Sequence, residues 1–237
     1  MRHGAPFGRG RAENPGKTGV FPFCYHIIMK RGIFIVLEGP DRSGKSTQAA
    51  MLRDWLTGLG RKVRLTREPG GTYLSEKIRA ILLDPKSEIE PLTELFLYET
   101  SRAKHTLKVI MPALKAGEII VSDRYTMSTT AYQGYGRGLD LKTVETLNRI
   151  ATMGLKPDLT IVFDVPDSVF KRRECRGSDR MELQTASFRL KVNRAYKKLA
   201  ARPGVVRVNA AAAIEAVHGQ VRSAVNALLR KKGFRTR

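Results

Sequence analysis

The chain has 237 residues, 42% of them hydrophobic and 27% charged, which suits one globular domain with a substantial core. Cys24 and Cys175 are too few for a disulfide framework and have no metal-ligand company, so a reducing cytoplasm is expected, and no apolar run approaches the roughly 18 residues of a membrane span. The net charge of +21 would suit a nucleic-acid or membrane partner, but no helix-turn-helix, zinc-finger or RNA-binding signature accompanies it, and the excess reads as a solvated face.

Residues 1–28 are expected to lie outside the fold. Met1 to Gly19 is rich in Gly, Arg and Pro without apolar periodicity and reads as disordered. The apolar stretch from Val20 to Met29 lacks a small-residue cleavage site, and Met29 is an alternative start for a domain spanning 29–237.

From residue 31, strands and helices alternate. Ile33-Phe34-Ile35-Val36-Leu37 is a continuous apolar run suited to a strand buried on both faces. Gly39-Pro40-Asp41-Arg42-Ser43-Gly44-Lys45-Ser46-Thr47 follows and fits G-x-x-x-x-G-K-[ST]. Ala49, Leu52, Trp55, Leu56 and Leu59 then recur at helical spacing, with Gly58 and Gly60 as stop signals. Strand, glycine loop and helix together make a phosphate site: backbone N–H groups close around phosphate oxygens at a helix N-terminus. Lys45 is placed for the β- and γ-phosphates and the Ser46 hydroxyl for Mg²⁺. A second strand is predicted at 62–66, then a helix with Leu74, Ile78, Ile81 and Leu82 on one face. A long helix over 91–116 uses Leu92, Leu95, Phe96, Ala103, Leu107, Ile110 and Leu114, and Gly117 ends it. The strand 118–122 delivers Asp123-Arg124 at its C-terminal end. A helix over 140–153, a strand over 159–163, a basic segment over 171–182, a helix carrying Phe188 to Leu199, a strand over 205–209 and a helix over 212–230 complete the chain. Alternation of this kind predicts a parallel sheet covered by helices on both faces, with ligands at the C-terminal strand ends.

Arg67 and Arg124 fall at that ligand edge, and Arg172, Arg173, Arg176 and Arg180 lie in the late basic loop. Phosphoryl transfer needs such groups, because two polyanions must be brought together. Tyr98 and Arg102 share a helix face. Their spacing alone favours a core tyrosine beside a salt-bridged arginine over a base-stacking pair.

In this order and spacing the segments are highly specific. Leu37–Gln48, Thr66–Thr72, Tyr98 with Ser101-Arg102-Ala103, Ser122–Tyr125 with Ser128, Ala131–Gly134, Lys156–Thr160 and Arg176–Glu182 together resemble the thymidylate kinase family, across nearly everything from Phe34 to Leu229. The resemblance implies an α/β, three-layer P-loop kinase fold with a lid over about 171–182, transferring the γ-phosphoryl of Mg·ATP in line to dTMP. It assigns Arg67 and Arg124 to the dTMP phosphate, Tyr98 to stacking on thymine and Arg102 to a thymine carbonyl. Tyr132 falls near the deoxyribose, Thr129 and Gln133 near the base, and Asp41 and Asp123 around the acceptor phosphate and Mg²⁺. It also implies a homodimer built through helices. Two departures stand out: Tyr98 replaces the family's usual phenylalanine, and Arg42 in the loop coexists with Arg176 and Arg180 in the lid. The arginine that meets the transferred phosphoryl is therefore left open. Another nucleoside monophosphate or deoxynucleoside kinase is the alternative enzyme, and a P-loop protein kept for binding nucleic acid is the alternative class.

Overall fold

The structure, a computed structural model, describes residues 32–172 and 179–234; the expectations for residues 1–28 and for Arg173, Arg176 and both cysteines lie outside them. Five parallel strands, β1 (Ile33–Glu38), β2 (Val63–Arg67), β3 (Ile119–Asp123), β4 (Leu159–Asp164) and β5 (Val205–Asn209), form one sheet in the order β2-β3-β1-β4-β5.

The central strand shows why its sequence is apolar throughout. β1 is hydrogen-bonded to β3 on one side and β4 on the other, and every residue in it is buried. Successive side chains point to opposite faces of a strand. Ile33, Ile35 and Leu37 join the core on one face with Leu52 and Leu56 of α1 (Lys45–Gly58) and Val221 and Val225 of α9 (Ile214–Lys231). Phe34 and Val36 pack on the other with Ile110, Leu114 and Tyr125.

The remaining helices are α2 (Tyr73–Leu83), α3 (Pro91–His105), α4 (Met111–Lys115), α5 (Thr126–Thr129), α6 (Leu141–Ala151), α7 (Asp167–Arg172) and α8 (Ala186–Ala200). The predicted single helix over 91–116 is interrupted by a π-helical turn, Thr106–Ile110, between α3 and α4. Pro112 accounts for the break in regularity: it has no N–H to donate to the preceding turn. A second π-helical stretch, Thr130–Gly136, extends α5; neither it nor α7 is foreseen from periodicity.

Three apolar stripes are also turned relative to expectation. Ile78 and Leu82 of α2 are buried, whereas Leu74 and Ile81 are exposed. On α3, Leu95 is fully buried while Leu92 and Phe96 are each 51% exposed. On α6, Val144, Asn148 and Ala151 face inward and Ile150 faces out. The inward Asn148 is explained by its partner, since its Oδ1 accepts from Arg102 Nη1 at 2.8 Å.

Register fixes what the sheet presents. Leu37 and Arg67 both align with Asp123 across β3. The Arg124 N–H donates to Leu37 O at 2.9 Å and the Glu68 N–H to Asp123 O at 3.0 Å. The glycine loop, Asp123-Arg124 and Arg67-Glu68 therefore leave the same sheet edge side by side, as ligand-binding edges of such sheets do.

Candidate active site

The loop between β1 and α1 is shaped by its backbone. Gly39 has φ 149° and Gly44 has φ 89°, and Gly44 caps α1 without any side-chain hydrogen bond. The first turn of α1 thus keeps N–H groups available for an anion, reinforced by the positive end of the helix dipole. Lys45 is buried, its Nζ donating to Pro40 O at 2.7 Å and Ser43 Oγ at 3.3 Å inside the loop. Burial, then the nearby Arg124 charge, lowers its pKa to about 8. Ser46 Oγ donates to Asp123 Oδ2 at 2.6 Å, while Asp123 Oδ1 is buried with no hydrogen-bond partner.

Arg124 is the hub of the edge. Its φ is 75°, a conformation that costs a non-glycine residue on the order of 1–3 kcal/mol and that clusters at functional sites. Its Nη1 donates to Gly39 O, Ser128 Oγ and Tyr196 OH at 3.0–3.1 Å, and its Nη2 pairs with Asp41 Oδ1. Tyr132 donates its hydroxyl to Asp41 Oδ2 at 2.6 Å, and the guanidinium lies 5.1 Å from the Tyr132 ring centre. Burial would raise the Asp41 carboxyl, but Arg124 and then Lys45 hold it below its ordinary value. Beneath them, buried Glu38 accepts from Tyr125 N, Ser128 N, Ser128 Oγ and Tyr196 OH, and burial nonetheless keeps its pKa raised. Sequence reading does not mark Glu38 or Tyr196, because both are read there as parts of an apolar strand end and a core stripe.

Two adjoining clefts open at this edge. One, half open to solvent and spanning about 630 Å³, is lined by Tyr98, Arg102, Thr129, Tyr132, Gln133 and Met181 among others. The second, about 890 Å³, is lined by Arg42, Lys45, Ser46, Thr47, Arg67 and Asp123. Asp41, Glu68, Arg79, Arg124, Asp179 and Glu182 line both and so stand where the clefts meet.

Most of the expected side chains are gathered here. The Arg67 guanidinium is half exposed and donates to Glu76 at 3.0 Å, a surface pair worth little and easily exchanged for a phosphate. Tyr98 lines the first cleft, and burial pushes its phenol well above the ordinary range. Thr129 Oγ1 is buried there without a partner. Arg102 also lines the cleft, with four of its five N–H groups engaged by protein: Nε to Glu68 Oε2 at 2.8 Å, Nη1 to Glu99 Oε1 at 2.7 Å and to Asn148, and Nη2 to Tyr125 O at 3.1 Å. His105, fully buried, bonds the other Glu68 oxygen at 2.9 Å. Arg42, at φ 59°, reaches Glu182 at 3.5 Å.

Arg180 is placed differently from the expectation of a lid arginine at the transferred phosphoryl. Its Nε donates to Leu82 O at 2.8 Å and its Nη2 pairs with Glu94 Oε2 at 2.7 Å, away from the glycine loop. The cause is Glu94, a fully buried carboxylate that requires cations around it. The sequence does not mark Arg79, since nothing distinguishes one helix-surface arginine from another there. Here its Nη1 donates to Pro69 O at 3.0 Å, and burial followed by the Arg67 charge lowers its pKa. Positive groups short of counter-charge mark a place for an anion.

A parallel sheet with a glycine loop, a buried lysine, a hydroxyl–carboxylate pair and a second arginine-lined cleft defines a P-loop phosphotransferase with two anionic substrates. The family described as thymidylate kinase matches residues 37–221, and the chain belongs to that family. It is 46% identical over 203 residues to the thymidylate kinase of Gloeobacter violaceus, spanning 83% of this chain and 96% of the relative. The thymidylate kinase of Leifsonia xyli subsp. xyli is 45% identical over 197 residues (81% and 93%), and that of Synechococcus sp. strain WH7803 is 43% identical over 212 residues (85% and 100%). Among the described residues no helix is long and apolar enough to cross a membrane.

Proposed function

We propose that this protein is a dTMP kinase, transferring the γ-phosphoryl of ATP to dTMP to give dTDP. The observation that carries this reading is the pair of clefts meeting at Asp41, Arg79 and Arg124, one floored by the phosphate loop and the other lined by Tyr98, Thr129 and Gln133. ATP places its phosphates on the loop, where Lys45 neutralises the β- and γ-oxygens. dTMP enters the other cleft base-first, Tyr98 stacking on the ring, the partnerless Thr129 hydroxyl meeting a polar edge and Tyr132 beside the sugar. Arg124, with Arg67 and Arg79, takes the acceptor phosphate; Arg124 then exchanges its Asp41 partner for phosphate oxygens. The acceptor is already anionic, so positioning and charge stabilisation dominate over general-base catalysis. Arg42, itself a residue of the loop and lining the second cleft, is the arginine offered to the transferred group.

Mg²⁺ fits the donor set: hard oxygens at Ser46 Oγ and the partnerless Asp123 Oδ1, the remaining ligands being water and phosphate. Bound there, it would neutralise developing charge between the phosphates.

ADP release measured with dTMP, dUMP, dCMP, UMP and AMP tests the assignment. Turnover should be fastest with dTMP; turnover with a purine or ribose acceptor equal to that with dTMP would overturn it.

We further propose a homodimer. Leu92, Phe96 and Leu107 form an exposed stripe along α3 and its continuation, with Leu74 and Ile81 of α2 nearby in the fold. Phe96→Glu should convert a dimer to a monomer by light scattering, and an unchanged mass would remove that face from the interface. Residues 29–237 form the kinase unit in this reading, operating in the reducing cytoplasm. Protein beginning at Met29 should keep full activity, and a Cys24–Cys175 disulfide in natively isolated protein would contradict that compartment.

A further inference from the structure

Glu94 lies in the first turn of α3 and is fully buried, yet the reaction itself has no use for it. Its Oε1 accepts from Gln133 Nε2 at 2.8 Å and from Arg137 Nε at 3.1 Å. Its Oε2 accepts from Arg137 Nη2 at 2.9 Å and pairs with Arg180 Nη2 at 2.7 Å. Burial would raise its pKa, but the Arg137 and Gln133 hydrogen bonds and the two arginine charges hold it below the ordinary value. An ionised carboxylate only accepts hydrogen bonds. The Gln133 atom facing it must therefore be the amide NH₂, which leaves the amide oxygen as the free end. That oxygen has no hydrogen-bond partner among the described residues, and Gln133 lines the cleft beside Thr129 and Tyr98.

We propose that Glu94 is a positioning residue that sets base specificity, by locking Gln133 with its carbonyl oxygen toward the base so that the site demands a ring N–H donor. This rests on the reading of the first cleft as the base site. Thymine and uracil carry that donor at N3; cytosine presents a lone pair there, which would face the Gln133 oxygen without a proton between them. A buried group left unpaired in this way is strongly discriminating, on the order of 10⁴ or more when the site is built around the bond. Left unanchored, an amide can turn over at little cost and accept either pyrimidine. The carboxylate removes that freedom, and the two arginines make it energetically secure by keeping it ionised.

Glu94→Gln tests the lock. Oε2 meets an N–H from each arginine and Oε1 only the longer one from Arg137 Nε, so the new amide keeps its oxygen at Oε2, gives up the Arg137 Nε bond and places its NH₂ toward Gln133, which must then turn its oxygen inward and its NH₂ to the base. The kcat/KM preference for dTMP over dCMP should fall at least tenfold, while the preference for dTMP over dUMP, which differ only in a methyl group, stays within about twofold. A merely structural role would lower stability, or all three activities together, and leave both ratios unmoved; that result overturns the proposal. Gln133→Met covers the case where Glu94→Gln does not fold, since it keeps volume and leaves Glu94 with both arginines. It should raise KM for dTMP with kcat little changed and cut the dTMP over dCMP preference at least tenfold. If KM for dTMP rises but the preference is unaltered, the base cleft stands and the lock is wrong. If no KM changes, the cleft itself is misassigned and the proposal falls with it.

Discussion

Lys45 shows how function and stability oppose each other at one residue. An unfolded lysine holds its proton to about 10.5, whereas folded Lys45 releases it near 8, so the folded state carries a penalty for that charge at neutral pH. The unfolded chain binds the extra proton between those two values, so this contribution to stability rises as pH climbs from 8 towards 10.5 and is at its worst below 8. The penalty is on the order of 3 kcal/mol. Lys45→Met should accordingly raise the melting temperature of ligand-free protein at pH 7 while abolishing measurable kinase activity. Its stability advantage should shrink between pH 7 and pH 9 in parallel denaturation curves. A destabilised Lys45→Met, or one that still turns over, would contradict the burial and the assigned role respectively. ATP phosphates bound at the loop supply the missing counter-charge, which is how the strain is turned to binding.

At the scale of elements, buried charge rather than apolar packing joins α3 to the loop after β2. Glu68 accepts from both Arg102 and His105 of α3, and Arg102 continues to Glu99, Asn148 of α6 and the Tyr125 carbonyl. Gly71 allows this approach: a Cβ there would lie 2.6 Å from the His105 ring, at a φ of 82° that side chains disfavour. Removing one partner of a buried pair strands the other and costs about 3–5 kcal/mol. Arg102→Ala should therefore lower the melting temperature by roughly 6–20 °C at this chain length. Loss of dTMP affinity with an unshifted melting curve would instead make Arg102 a base contact and little else. The spacing of Tyr98 and Arg102 already favoured a salt-bridged arginine, and that part was legible. The identity of the partners was not, since Glu68, Asn148 and Tyr125 are brought together only by three separate elements.

Over the whole molecule, a net charge of +21 on 237 residues implies self-repulsion in the compact state. The described surface carries unbalanced runs such as Arg189, Lys191, Arg194, Lys197 and Lys198 on α8, where Asp167 answers only Arg194 and Lys197. Raising NaCl from about 0.05 M to about 0.5 M shortens the screening length several-fold and should raise the melting temperature. A fall would mean that attractive ion pairs such as Arg64–Glu118 and Arg202–Glu145 outweigh the repulsion. dTMP and ATP, both anionic, should stabilise more at low salt than at high salt for the same reason.

What the sequence alone determined is local or periodic. The continuous apolar run of β1 suited a strand buried on both faces, and Gly39 and Gly44 fitted a loop that closes around phosphates. The alternation of strands and helices then put Asp123, Arg124 and Arg67 at the same edge. Tertiary structure decided what depends on partners distant in the chain. It turned α6 so that Asn148 faces Arg102, exposed Leu92 and Phe96 on α3, and drew Arg180 to Glu94 rather than to the loop. In each case a buried charge had to be satisfied: it set the inward faces of the two helices and held Arg180, which lies in the turn before α8. A helix's inward face is chosen by apolar burial only until a buried charge must be satisfied, and where that charge lies is not written in the spacing of its neighbours.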